Sequence, residues 1–165
     1  MKAHFAMMAR YNAWANNRLY LMAGQLSDEQ YRRDVGAFFR SLHGTLNHLL
    51  TADQIWMHRL SGRGEHPATL DAIVFDDFTS LTAARREEDE RINNFVHGIG
   101  EKQLDDVQKY QTMNGTPMQQ PLREILAHMF NHQTHHRGQA HAILTILGIS
   151  DPAPMDLLLM LREQS

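Results

Sequence analysis

His132 and His136 stand four residues apart in the run His128-Met129-Phe130-Asn131-His132-Gln133-Thr134-His135-His136-Arg137-Gly138-Gln139. On an α-helix that spacing turns the chain by roughly 40° and raises it by roughly 6 Å, so both imidazoles leave one face a turn apart. With His132 set at zero, Leu122, Ile125, Met129, Ile143, Leu144 and Leu147 fall between roughly 20° and 120° on the wheel and mark the apolar stripe. His136 lies inside that stripe, His132 on its near flank and His128 a little beyond, while His135 and His141 point well away. Two readings are open. Packed histidines commonly just hydrogen-bond a neighbour. Two stacked neutral rings in an apolar setting are equally a site for one metal ion, which satisfies both lone pairs at once. The zincin pattern His-Glu-x-x-His is not met, because Gln133 stands where its glutamate would be.

The rest of the composition narrows the chemistry. The chain of 165 residues holds eleven histidines and no cysteine. That removes disulfides, thiolate ligands and an internal thiol nucleophile together. A bound metal is left with imidazole, carboxylate or water, donors that suit zinc, nickel, iron, manganese or copper. Hydrophobic residues at 42% and charged residues at 21% describe a folded globular chain, and the length fits one domain, 1–165. The net charge is −3 with Lys and Arg scattered, so no nucleic-acid partner is expected. No apolar run approaches the roughly 20 residues a membrane span needs. Met1-Lys2-Ala3-His4 leads into a helix pattern containing Arg10, Asn12, Asn16 and Asn17, unlike a secretory leader, so a cytoplasmic protein is expected.

Four long amphipathic segments must position the histidines. The first runs from about 2 to 23, with Met8, Tyr11, Ala15, Leu19 and Met22 at helical spacing and Gly24 as its stop. Ser27 can cap a turn after it. The second runs from about 38 to 61, and a loop over 62–76, rich in Gly and Pro, is long enough to cross the end of a bundle. The third covers about 77 to 98, its charged run Arg85 to Arg91 reading as a solvated face. Asn114-Gly115 is a two-residue hairpin signal between weakly alternating flanks, so 106–120 is expected to be a short hairpin or loop. Pro121 then opens the fourth helix, Gly148 closes it, and a short helix follows from about 155 to 163. This is the pattern of an all-α four-helix bundle, a fold that builds metal sites from side chains on facing helices.

Three stretches together resemble the DinB family of bacterial damage-inducible proteins, which is similar to the wider group of thiol-dependent transferases and maleylpyruvate isomerases. They are Tyr11-Asn12-Ala13-Trp14-Ala15-Asn16, then Asn47-His48-Leu49-Leu50-Thr51-Ala52-Asp53-Gln54-Ile55-Trp56, and His128 through Gln139, whose His-His-Arg-Gly-Gln block is the most specific. The resemblance spans nearly the whole chain. It implies a four-helix bundle with one crossover connection and a divalent metal held by His48, His132 and His136. On its own wheel His48 only flanks its helix's apolar arc, and the family pattern is what promotes it to a ligand.

Three imidazoles would leave coordination positions open, as in catalytic metal sites. A water there would be acidified, or an external low-molecular-weight thiol activated as a nucleophile. The expectation is therefore a metal-dependent thiol transferase or hydrolase acting on a small molecule, with zinc or nickel ahead of iron or manganese. The alternative is a non-catalytic metal-binding or dimerisation module. The family's habit implies a homodimer, and its name gives no ground for contact with DNA. Asp53 and Arg18 both fall within apolar arcs, so they are expected to pair, with Asn12 or the Trp14 indole completing the network. A general-base role for Asp53 is the functional alternative, with Glu124 a weaker candidate. Gly138 is expected to allow close helix packing, and Gln139 to touch a ligand ring or substrate.

Overall fold

Four long helices, α1 (Lys2–Ala23), α3 (Leu42–Ser61), α4 (Phe78–Gly98) and α5 (Leu122–Ile146), carry the structure, a computed structural model that describes residues 1–164. A five-residue helix α2 (Asp28–Arg32) follows α1, and α6 (Leu157–Glu163) is the last helix among the described residues. The long helices form a ring in which α1 packs on α4 and α5, and α3 packs on the same two.

The core has three levels, and every long helix passes through all of them. At one end Leu19, Leu42, Leu46, Leu50, Leu81 and Leu144 pack together. At the other Phe5, Met57, Ile92, Leu126 and Phe130 do the same. Between them, on each helix in turn, sit buried polar residues: Asn12 and Asn16, Asp53, Arg85 and Asp89, and Gln133 and Arg137. The order of the levels gives the directions. Helices α1 and α5 run one way, α3 and α4 the other. Because α3 and α4 are parallel neighbours, the connection 62–77 must run back along the bundle, which is the crossover that the resemblance implies.

The middle level overturns the reading of Arg85 to Arg91 as a solvated face. Arg85, Glu88 and Asp89 are buried. With Leu81, Ile92 and Val96 they follow the i, i+3, i+4 spacing of a single helix face, so three of seven consecutive charges turn into the core. Arg85 stands 2.8 Å from Asp53 and 3.0 Å from Asp89. Asn12 and Asn16 donate to Asp89 (3.2 and 2.9 Å), and Arg137 donates to Asn12 and Asn16. One polar network thus ties all four helices, since buried charge without partners is costly.

Two local features also differ from expectation. The second long helix begins at Leu42 and not near 38, because Ser41 caps it, its hydroxyl accepting from Gly44 N (3.0 Å). The residues before it fold into a loop with an isolated bridge Ala37–Arg40 and Arg40 at φ 66°. The hairpin is real, with β1 (Val107–Gln111) antiparallel to β2 (Pro117–Pro121), so the architecture is mainly rather than purely helical. Its turn has three residues instead of two. Gly115 N donates to Thr112 O, Thr112 N donates to Thr116 O, both at 3.0 Å, and Gly115 takes φ +81°. Among the described residues no helix is long and apolar enough to cross a membrane.

Candidate metal centre

Asn47 prepares the site from the α3 side. Its side chain accepts from Phe75 N (3.0 Å) and donates to Phe75 O and His43 O (both 3.1 Å), pinning the returning loop against the helix. Thr51 adds a hydrogen bond to Ala72 O (3.3 Å). Held this way, the loop sets the Leu70 carbonyl 2.7 Å from His48 Nδ1. A carbonyl only accepts, so Nδ1 carries the proton and the lone pair of His48 is on Nε2.

That Nε2 lies 3.2 Å from His132 Nε2 on α5. His136, one turn on, has its ring centroid 4.3 Å from that of His132 and 4.5 Å from that of His48. Its Nδ1 is 2.7 Å from Gln139 Oε1, while the Gln139 amide nitrogen faces His135 Nε2 at 3.2 Å. With the amide oriented so, His136 Nδ1 donates and its Nε2 is free to bind. The anticipated contact of Gln139 is therefore made with the ring of His136. One candidate donor atom from each of the three histidines lies within 4.8 Å of the others. Nitrogens about 2.0–2.1 Å from a tetrahedral ion stand roughly 3.4 Å apart, close to the His48–His132 separation. No carboxylate joins this cluster among the described residues.

The electrostatics match the geometry. Burial pushes His48 down to about 4, and the neighbouring His136 adds to this against the pull of the Leu70 carbonyl. Burial and the crowding by His136 and His48 bring His132 down to about 3. His136 is lowered too, first by burial. All three rings are neutral at pH 7, which is the form that ligates. Phe39 stacks on His48 with centroids 3.8 Å apart and planes 18° apart, and meets His136 edge-on at 5.6 Å, so one side of the cluster is closed by an aromatic ring.

The DinB family profile matches residues 1–164. The chain belongs to the DinB family. One curated relative, Protein DinB of Bacillus subtilis (strain 168), is 29% identical over 152 residues, covering 88% of this chain and 87% of that protein. Within the family stretches Asn12 and Asn16 enter the buried network, Asn47 pins the loop, and Arg137, next in sequence to His136, is sealed in the core against Tyr11, Asn12 and Asn16 of α1.

Other expectations need correction. Asp53 does not pair with Arg18 but with Arg85, across the α3–α4 interface. Arg18 instead meets Glu163 on α6 (2.5 Å), and the Trp14 indole donates to the same carboxylate (2.9 Å). Both charges face inward on their wheels, yet a wheel does not say which helix is adjacent. Sealed in an ion pair with Arg85, Asp53 is outside the histidine cluster. Gly138 is not a packing contact, since a Cβ there would meet nothing within 4 Å. Glu124 is exposed and also outside the cluster. The residues that sequence reasoning missed are Phe39 and the Leu70 carbonyl. The latter has no side-chain signature at all, and only the capacity of Asn47 to bind backbone could have pointed toward it.

Proposed function

We propose that His48, His132 and His136 hold a divalent ion and that the protein is an enzyme joining an external thiol to an electrophilic small molecule. The observation that supports this best is the convergence of three neutral imidazoles from two helices, two with Nδ1 already engaged, so that Nε2 is left to bind. Held by three neutral ligands, a divalent ion keeps its charge and an open position, where it would lower the pKa of an incoming thiol or water. The chain contributes orientation: Leu70 O and Gln139 fix the tautomers, and Phe39 shields one side from water. With no cysteine in the chain, a sulfur nucleophile must come from outside. A thiolate needs no further base to attack, which suits a cluster that no carboxylate joins. Hydrolysis by activated water at the same centre is the second catalytic reading.

The missing carboxylate also favours a different class, a metal-binding module without turnover. A panel of low-molecular-weight thiols and electrophiles, run on protein loaded with zinc, nickel or manganese and on metal-free protein, separates the two. Metal-dependent consumption of thiol and acceptor together is the expected result. Absent or metal-independent turnover across the panel would leave the module.

A further inference from the structure

Beside His132 the protein opens into a cavity of about 670 Å³ between α3, the hairpin and α5. Its wall includes Trp56, Arg59, Tyr110, His128 and His132, together with Leu70, whose carbonyl holds His48. The lining contains no Asp or Glu. Glu124 lines only an adjoining hollow that shares Trp56, Tyr110 and His128.

Arg59 is the one residue of that wall with a full charge at neutral pH, and it is half-buried. Its guanidinium lies over Trp56 at 4.7 Å and over Tyr110 at 5.3 Å from the ring centroids, and the two rings meet edge to face at 5.0 Å. No acidic side chain pairs with it among the described residues. Its one hydrogen bond there is a weak one to Met113 Sδ at 3.5 Å. A guanidinium fixed by two aromatic faces, with most of its five N–H donors unused, is built to receive a planar anion.

We propose that this cavity takes the substrate and that Arg59 binds a carboxylate on it, while Trp56 and Tyr110 line the space for an apolar or aromatic body. The assignment rests on the metal-enzyme reading above, because His132 is what connects the cavity to the reaction. It names the class of molecule: a small organic carboxylate whose reactive atom reaches the histidine cluster. The carboxylate can belong to the electrophilic acceptor or to the thiol.

Matched probes distinguish these sources. In metal-free protein, calorimetric titration should show 3-phenylpropanoate binding about tenfold or more tighter than its neutral amide, the size of a charge-assisted hydrogen-bonded pair. Arg59→Met should reduce that preference to roughly one with the amide's affinity little changed, and Arg59→Lys should keep part of it. In nickel-loaded protein, 3-mercaptopropanoate against propane-1-thiol makes the same comparison for the thiol. An Arg59-dependent preference in the first pair assigns the carboxylate to the acceptor, and in the second to the thiol. Equal binding in both pairs, no saturable binding of either carboxylate, or a preference that survives Arg59→Met overturns the proposal. Nickel affinity is measured alongside and should be the same in both Arg59 variants as in the unmodified protein. A wild-type chain that binds no metal yet still selects the carboxylate would sink the metal-enzyme reading alone.

Discussion

Replacing Arg85 with methionine removes the guanidinium that stands 2.8 Å from Asp53 and 3.0 Å from Asp89 in the middle of the bundle. The Arg85 and Asp53 side chains are each only 2% exposed, so water cannot substitute for the lost partner. One cation here serves two acids. Burial works against the Arg85 charge, but Asp89 and Asp53 outweigh it and hold its pKa up. Each acid, by contrast, is under-served: burial raises Asp53 to about 6 in spite of Arg85, and raises Asp89 as well. Breaking a buried pair costs about 3–5 kcal/mol, which for a chain of this size lowers Tm by roughly 6–20 °C. The pH dependence follows from the same groups. A carboxyl lifted from 3.8 to about 6 binds more protons in the folded state, so its contribution to stability is lost as pH rises through that window. Without Arg85 the largest downward pull on Asp53 and Asp89 is gone, leaving only Gln133 on the first and Asn16 and Arg137 on the second, and the loss extends above pH 6. Urea denaturation of Arg85→Met between pH 5 and 8 should show a deficit that grows with pH, and adding Asp53→Asn should recover part of it. A deficit under about 1 kcal/mol, the range of an exposed ion pair, or a pH profile parallel to the wild type would refute the network.

Asn47→Ala should destabilise the fold by about 1–3 kcal/mol and weaken nickel binding by about 10- to 100-fold, because the freed loop no longer holds Leu70 O on His48. Calorimetric titration with nickel reads this directly, and an unchanged affinity would contradict it. Gly44→Ala puts a methyl 2.2 Å from Phe39 O, so the loop carrying Phe39 must move, with an expected loss of about 1–3 kcal/mol and of the stack on His48. Gly115→Ala strains a φ of +81° by about 1–2 kcal/mol and should leave metal affinity untouched, which a melt and the same titration check. Because His48 and His132 are held near 4 and 3, protons compete little for them at mild acidity. Metal affinity should stay nearly constant from pH 7.5 to about 6 and fall only below that; a loss centred on 6.5 would mean ordinary, exposed imidazoles.

The helices were readable because their apolar residues repeat at 3.6 and because Gly24 and Gly148 follow their ends. The pairing of His132 with His136 was readable for the same reason; for Gln139 the pattern left a ring or substrate open, and the structure puts it on His136. His48 was not, since on its own helix it flanks the arc, and only the family pattern raised it. The Arg85 network escaped because seven consecutive charges resemble a solvated surface, although 81, 85, 88, 89, 92 and 96 already spell out one buried face. The partner of Asp53 depends on which helix lies next to α3, and this follows from the crossover rather than from any local pattern. The Leu70 carbonyl is backbone and leaves no trace in composition.

The most direct test is X-ray absorption at the metal edge on tag-free protein reconstituted with one equivalent of zinc or nickel. The predicted spectrum shows three imidazole nitrogens at about 2.0–2.2 Å, at least one further light-atom ligand that a small thiol replaces with sulfur, and loss of the ion on His132→Ala or His48→Ala. Binding below a tenth of an equivalent, or binding that survives both substitutions, would contradict a centre built from His48, His132 and His136.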